Sequence, residues 1–118
     1  MDGTLAEPDP ISALHNPLPA PRLVVGLGNP GREYRNTPHN LGFMAIDRLA
    51  AQCGIDVSRR ECSALTGAGV LEGCPVLLVK PQTYMNLSGR SVRRLLEKHS
   101  AKSQEMILVY DDLDLPWM

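Results

Sequence analysis

The stretch at residues 22–28 (R-L-V-V-G-L-G) constrains the fold more than any other part of the chain. After Arg22 it holds no polar residue, and polar and apolar positions do not alternate. A strand of that kind is buried on both faces, so it belongs in the interior of a sheet covered by helices. Pro21 bounds it on one side and Asn29-Pro30-Gly31 on the other. The periodicity then changes. From His39 the apolar residues Phe43, Ile46, Ala50 and Cys53 recur at helical spacing, and Gly54 supplies a left-handed stop. Residues 62–71 and 76–80 read as two strands joined across Glu72-Gly73, a hairpin turn. Gly67, Ala68 and Gly69 mark a close backbone approach in the first of them. Ser88 is placed to cap a second helix, with Val92, Leu95 and Leu96 inward and Arg90, Arg93, Arg94 and Glu97 outward. Residues 106–110 (M-I-L-V-Y) form the last strand. Strands alternating with helices predict a single α/β domain with a mixed, twisted sheet and flanking helices.

A length of 118 residues allows one small domain. Twelve basic residues against 13 acidic ones exclude a nucleic-acid binder that works by bulk charge, though not one with a local patch. The charge is uneven. Residues 1–21 hold five of the ten prolines, the acids Asp2, Glu7 and Asp9, and no Lys or Arg. This segment reads as a disordered tail, without the apolar core of a secretory signal or the Arg-rich character of a transit peptide. It leaves residues 22–118 to form the domain. The expected compartment is the cytoplasm. No apolar run approaches the roughly 18 residues of a membrane span, so no membrane partner is expected. Cys53, Cys62 and Cys74 match neither a disulfide framework nor a zinc knuckle, and read as reduced, mostly buried thiols.

Four constellations carry chemistry. The first is Gly26-Leu27-Gly28-Asn29-Pro30-Gly31, a literal G-x-G-x-x-G. A dinucleotide site needs a helix starting there and an acid about 20 residues on at the end of a second strand. Pro38 interrupts the helix and Asp47 lies inside a helical pattern, so the glycines serve close packing and set the Asn29 amide at a strand's carboxyl end. The second is His39 at the start of the first helix. Histidine moves protons at neutral pH, and a helix N-terminus favours its neutral, base-competent form, although a lone surface histidine there is the commoner occurrence. The third is the loop from Lys80 to Gly89, with Gln82, Tyr84, Met85 and Asn86, where a site-lining role competes with a capping loop. The fourth is Asp111-Asp112-Leu113-Asp114, which reads as a divalent-cation site, a solvated strand end, or a carboxylate that orients a histidine.

These residues together resemble the bacterial-type peptidyl-tRNA hydrolases. The resemblance lies in V-G-L-G-N-P-G-x-x-Y-x-x-T-x-H-N at residues 25–40, K-P-x-T-Y-M-N-L-S-G at 80–89 and D-D-L-D-L-P at 111–116. It implies a single α/β domain that hydrolyses the ester between peptide and tRNA, with no metal or cofactor, acting as a monomer on peptidyl-tRNA. Carried over by position, His39 matches the catalytic base and Asp111 the carboxylate that holds it. Asn29 matches the amide that places water and substrate. Met85 and Asn86 match the peptide contact, and Tyr34 the aromatic lining the cleft near the tRNA end. Pro38 stands where many members have Arg. The family chain continues beyond D-D-L-D-L-P, so this sequence resembles its N-terminal half, with the C-terminal part missing, and weak or absent activity of the chain alone is expected. No serine or cysteine stands in a nucleophile motif, so a water activated by His39 is the expected attacking group. Two other classes remain: a non-catalytic RNA-binding protein, with Arg90, Arg93, Arg94 and Lys98 as a phosphate-contacting stripe, and an inactive truncated isoform.

Overall fold

A computed structural model describes residues 20–28, 40–84 and 87–110. Five strands form one sheet: β1 (Arg22–Gly26), β2 (Arg59–Glu61), β3 (Ala64–Leu71), β4 (Cys74–Pro81) and β5 (Ile107–Val109). Two helices, α1 (Leu41–Cys53) and α2 (Ser88–Lys98), flank it. The spatial order is β2-β3-β4-β1-β5. Strand β1 pairs in parallel with β4 on one side and β5 on the other, while β2-β3 and β3-β4 are antiparallel. The sheet is therefore mixed, as the alternation of elements predicts.

The continuous apolar run becomes the central strand. Four of the five β1 residues are buried. Because side chains alternate across a strand, the register Leu23↔Leu77, Val24↔Leu78 and Val25↔Val79 sorts them into two cores. Leu23, Val25, Leu77 and Val79 meet Val92 and Leu95 of α2 on one face. Val24, Val76 and Leu78 meet Ile46 and Ala50 of α1 on the other. Helix α1 ends as expected: Gly54 adopts φ +67°, and its N–H and that of Ile55 donate to the Ala50 carbonyl. The hairpin turn at Glu72-Gly73 has positive φ at both residues (48° and 82°), the conformation that matches the twist of two-residue hairpins. The expected close approach in β3 is present. A Cβ on Gly67 would collide with the Asp56 carbonyl, and one on Gly69 with the Ile55 side chain.

Several expectations are corrected. Residues 62–71 are not one strand, because Cys62 and Ser63, both at positive φ, form a second tight turn that leads back from the short strand β2. Ser88 does not cap α2: Leu87 holds the cap position, and Ser88 is the buried first residue, its hydroxyl donating to the Tyr84 carbonyl at 3.4 Å. The last strand is shorter than expected and its residues are largely exposed. The thiols are free, but Cys74 is exposed and the other two are only half-buried. No helix among the described residues is long and apolar enough to cross a membrane.

Candidate functional site

Three parallel strands, β4, β1 and β5, end at the same edge of the sheet. The chain leaves β1 towards α1 on one face and leaves β4 into α2 on the opposite face. Helices departing on opposite faces from neighbouring parallel strands open a crevice at the strands' carboxyl ends, where open α/β sheets place their sites.

The edge is tightly built. The Leu27 N–H donates to the Val109 carbonyl at 2.9 Å, which extends the pairing of β1 and β5 past the end of β1. Helix α1 starts directly above. A Cβ on Gly42 would collide with the Leu27 and Val109 backbone, and one on Gly26 with the Gly42 carbonyl and Ile46. A Cβ on Gly28 would sit 2.8 Å from Asn40 Oδ1 and 2.9 Å from the Phe43 ring. The G-x-G segment thus serves helix–strand packing, as the sequence implies, and brings Gly28, Asn40 and Val109 together. Asn40 is buried, and the first turn of α1 holds no acidic residue to offset its positive dipole end.

On the β4 side, Lys80 donates to Asp47 of α1 at 2.6 Å and lies 5.8 Å from the centre of the Phe43 ring. This ion pair fixes the helix against β4. It also occupies Asp47, the nearest acid a dinucleotide reading would need. The loop after β4 is held by the Gln82 N–H donating to the Ser63 carbonyl at 2.9 Å and by the Gln82 side-chain amide donating to the Lys80 carbonyl at 3.0 Å. Tyr84 is 63% exposed, so its ring is available at the rim.

His39, Asn29, Tyr34, Met85, Asn86 and Asp111 lie outside the described residues. The structure places their chain neighbours: Gly28 precedes Asn29, Asn40 follows His39, Tyr84 and Leu87 flank Met85-Asn86, and Tyr110 precedes Asp111. Gly28 and Asn40 belong to the packed edge just described, as does Val109, two residues before Asp111.

The family model for peptidyl-tRNA hydrolase matches residues 23–118. The chain belongs to the peptidyl-tRNA hydrolase family. The peptidyl-tRNA hydrolase of Koribacter versatilis is 59% identical over 97 residues, 81% of this chain and 48% of that protein. The Solibacter usitatus one is 54% identical over 95 residues, 80% and 48% of the two chains. The crystal structure of the Acinetobacter baumannii peptidyl-tRNA hydrolase superposes with a TM-score of 0.75 at 38% identity, covering 80% of this chain and 49% of that one. The chain thus spans about half the length of the peptidyl-tRNA hydrolases it matches.

One cluster escaped the sequence reading. Glu61, its side chain only 3% exposed, accepts hydrogen bonds from Lys98 Nζ at 2.8 Å and the Thr66 hydroxyl at 2.5 Å, and meets His99 Nε2 at 3.1 Å. Burial alone would raise its carboxyl pKa. The Lys98, Thr66 and His99 contacts outweigh that and hold it at about 2. The partners are 5 to 38 residues apart in the chain, so no local pattern signals them. The cluster removes Lys98 from the expected basic stripe, and Arg93 faces Glu97 at 3.8 Å.

Proposed function

We propose that this chain carries the general-base part of a site that hydrolyses the ester joining peptide to tRNA in peptidyl-tRNA. The observation that carries the reading is the packed edge itself, where Gly28 and Asn40, next to Asn29 and His39, meet near Val109, two residues before Asp111, at the carboxyl ends of parallel strands, in a member of the peptidyl-tRNA hydrolase family. On this reading neutral His39 takes a proton from water as the water attacks the ester carbonyl. The bond to the ribose oxygen breaks, and that oxygen receives a proton. Asp111 stabilises the imidazolium. Asn29 and Asn86 hold the carbonyl and the neighbouring peptide amide, and Tyr34 and Met85 line the cleft. The positive end of α1 favours the uncharged base. The protein acts as a monomer in the cytoplasm.

A positioned general base supplies about 10²–10⁴ in rate. Peptide release from N-acetyl-aminoacyl-tRNA is therefore expected to fall at least about a hundredfold in His39→Ala. The measurement is made on the chain itself and on the chain joined to the second half of the Koribacter versatilis relative, with the joined form expected to be the more active. Release unchanged by His39→Ala in the joined form would overturn the reading. RNA binding with no release above that of His39→Ala would instead favour a non-catalytic RNA-binding protein.

A further inference from the structure

We infer that a crevice between the start of α2 and the Cys62-Ser63 turn binds a backbone phosphate of RNA through Arg90 and Arg94. The crevice encloses about 220 Å³ and is lined by Ser63, Thr83, Arg90, Ser91 and Arg94, with no acidic residue among the described residues of its walls. Arg90 and Arg94 stand four apart on α2, which places their side chains as neighbours roughly 6 Å apart at Cβ. Neither has an ion pair among the described residues, whereas Arg93 faces Glu97 and Lys98 is bound to Glu61. Of the four basic residues on this helix, the two without a carboxylate partner among the described residues are thus the two that line the crevice.

Hydrogen bonds tie the walls together. The Ser91 hydroxyl donates to the Cys62 carbonyl at 2.7 Å, which ties the helix to the turn. Gln82 holds the turn from the other side through the Ser63 carbonyl. Two guanidinium forks above hydroxyl-bearing walls suit a phosphate, which accepts bidentate, charge-assisted hydrogen bonds. The choice of RNA rests on the proposed function, because Thr83 and Leu87, which also line the crevice, flank the loop assigned there to the peptide end of the substrate. A phosphate here would belong to the nucleotides next to the ester.

The test is fluorescence anisotropy of a labelled acceptor-stem RNA hairpin ending in CCA, titrated with the 118-residue chain at several salt concentrations. R90Q/R94Q is expected to bind about five- to tenfold more weakly near 100 mM salt, with a log–log salt slope shallower by about one. R90K/R94K, which keeps the charge and loses the forks, should fall between. Arg93→Gln removes one positive charge from the same helix outside the crevice and should leave the slope unchanged. Circular dichroism of each variant reports that the exposed substitutions leave the fold intact. Equal effects of Arg93→Gln and R90Q/R94Q, or no RNA binding by the unaltered chain, would overturn the site. The assay requires no hydrolysis. A slope change in this chain with no peptide release by the joined form retains the phosphate site and removes the catalytic reading, while peptide release by the joined form with an unchanged slope does the reverse.

Discussion

Gly26 and Gly42 leave the backbones of β1 and α1 in direct contact, and that contact sets where the start of the helix stands over the sheet edge. A methyl group at position 42 would collide with the Leu27 and Val109 backbone, neither of which ends in a flexible group able to turn aside. Gly42→Ala should therefore destabilise the domain by about 1–3 kcal/mol, as overpacking does. Gly89, in the first turn of α2, has nothing within 4 Å of its added methyl and no positive φ. Gly89→Ala should instead stabilise by about 0.5–1 kcal/mol through the lower entropy of the unfolded chain. Urea unfolding of both variants checks the pair. Opposite signs are expected, and a neutral Gly42→Ala would show that the helix is free to shift off the strand.

At the scale of elements, the short strand β2 is held in place by charge rather than by apolar burial. Glu61 faces inward at its end and joins it to the last turn of α2 through Lys98 and His99. Its carboxyl pKa is about 2 in the folded chain against 4.5 for the free group. Stability from this group is thus fully present above the unfolded value and is lost as pH falls from about 4.5 towards 2. The depression corresponds to about 3 kcal/mol. Glu61→Gln should be less stable than the parent at pH 7, with the gap closing as pH drops through that window. Urea midpoints at pH 7, 4 and 2.5 measure it, and parallel curves would show that Glu61 does not couple to folding.

The same strand shows where the sequence stops being legible. Helix α1 and the β3–β4 hairpin could be read because their periodicity and turn residues are local signals. Arg59, Arg60 and Glu61 carry no apolar pattern, and the turn that follows uses Cys62 and Ser63 in a conformation usually left to Gly or Asn. The strand forms because distant residues satisfy Glu61, and propensity has no access to that. Ser88 is a similar case: its residue type suits a cap, but it lies one position too late and is buried against the loop. The motifs could be matched to the family by local sequence alone, whereas the convergence of positions 28, 40 and 109 follows only from the parallel pairing of β1 and β5.

For the molecule as a whole, cover on the two faces is unequal along the sheet. The β1–β4 pair is covered on both faces, and Leu78 is wholly buried against α1. Towards β5 the cover thins. Ile107 is 45% and Leu108 43% exposed, and an apolar cavity of about 280 Å³ opens between Leu108, Met106 and the Leu96 side of α2. Large-to-small substitution costs the transfer of the lost atoms plus the cavity left behind, and only enclosed sites incur both. Leu78→Ala should destabilise this 118-residue chain by about 2–5 kcal/mol, a large part of the roughly 5–15 kcal/mol that holds a small domain together. Leu108→Ala removes the same atoms from a half-exposed site beside an existing cavity and should cost less than about 1 kcal/mol. Thermal melts followed by circular dichroism compare the two, with the Leu78 variant expected to lose its cooperative transition or melt far below the parent. Equal losses at both positions would mean that the β5 edge is as enclosed as the centre of the sheet.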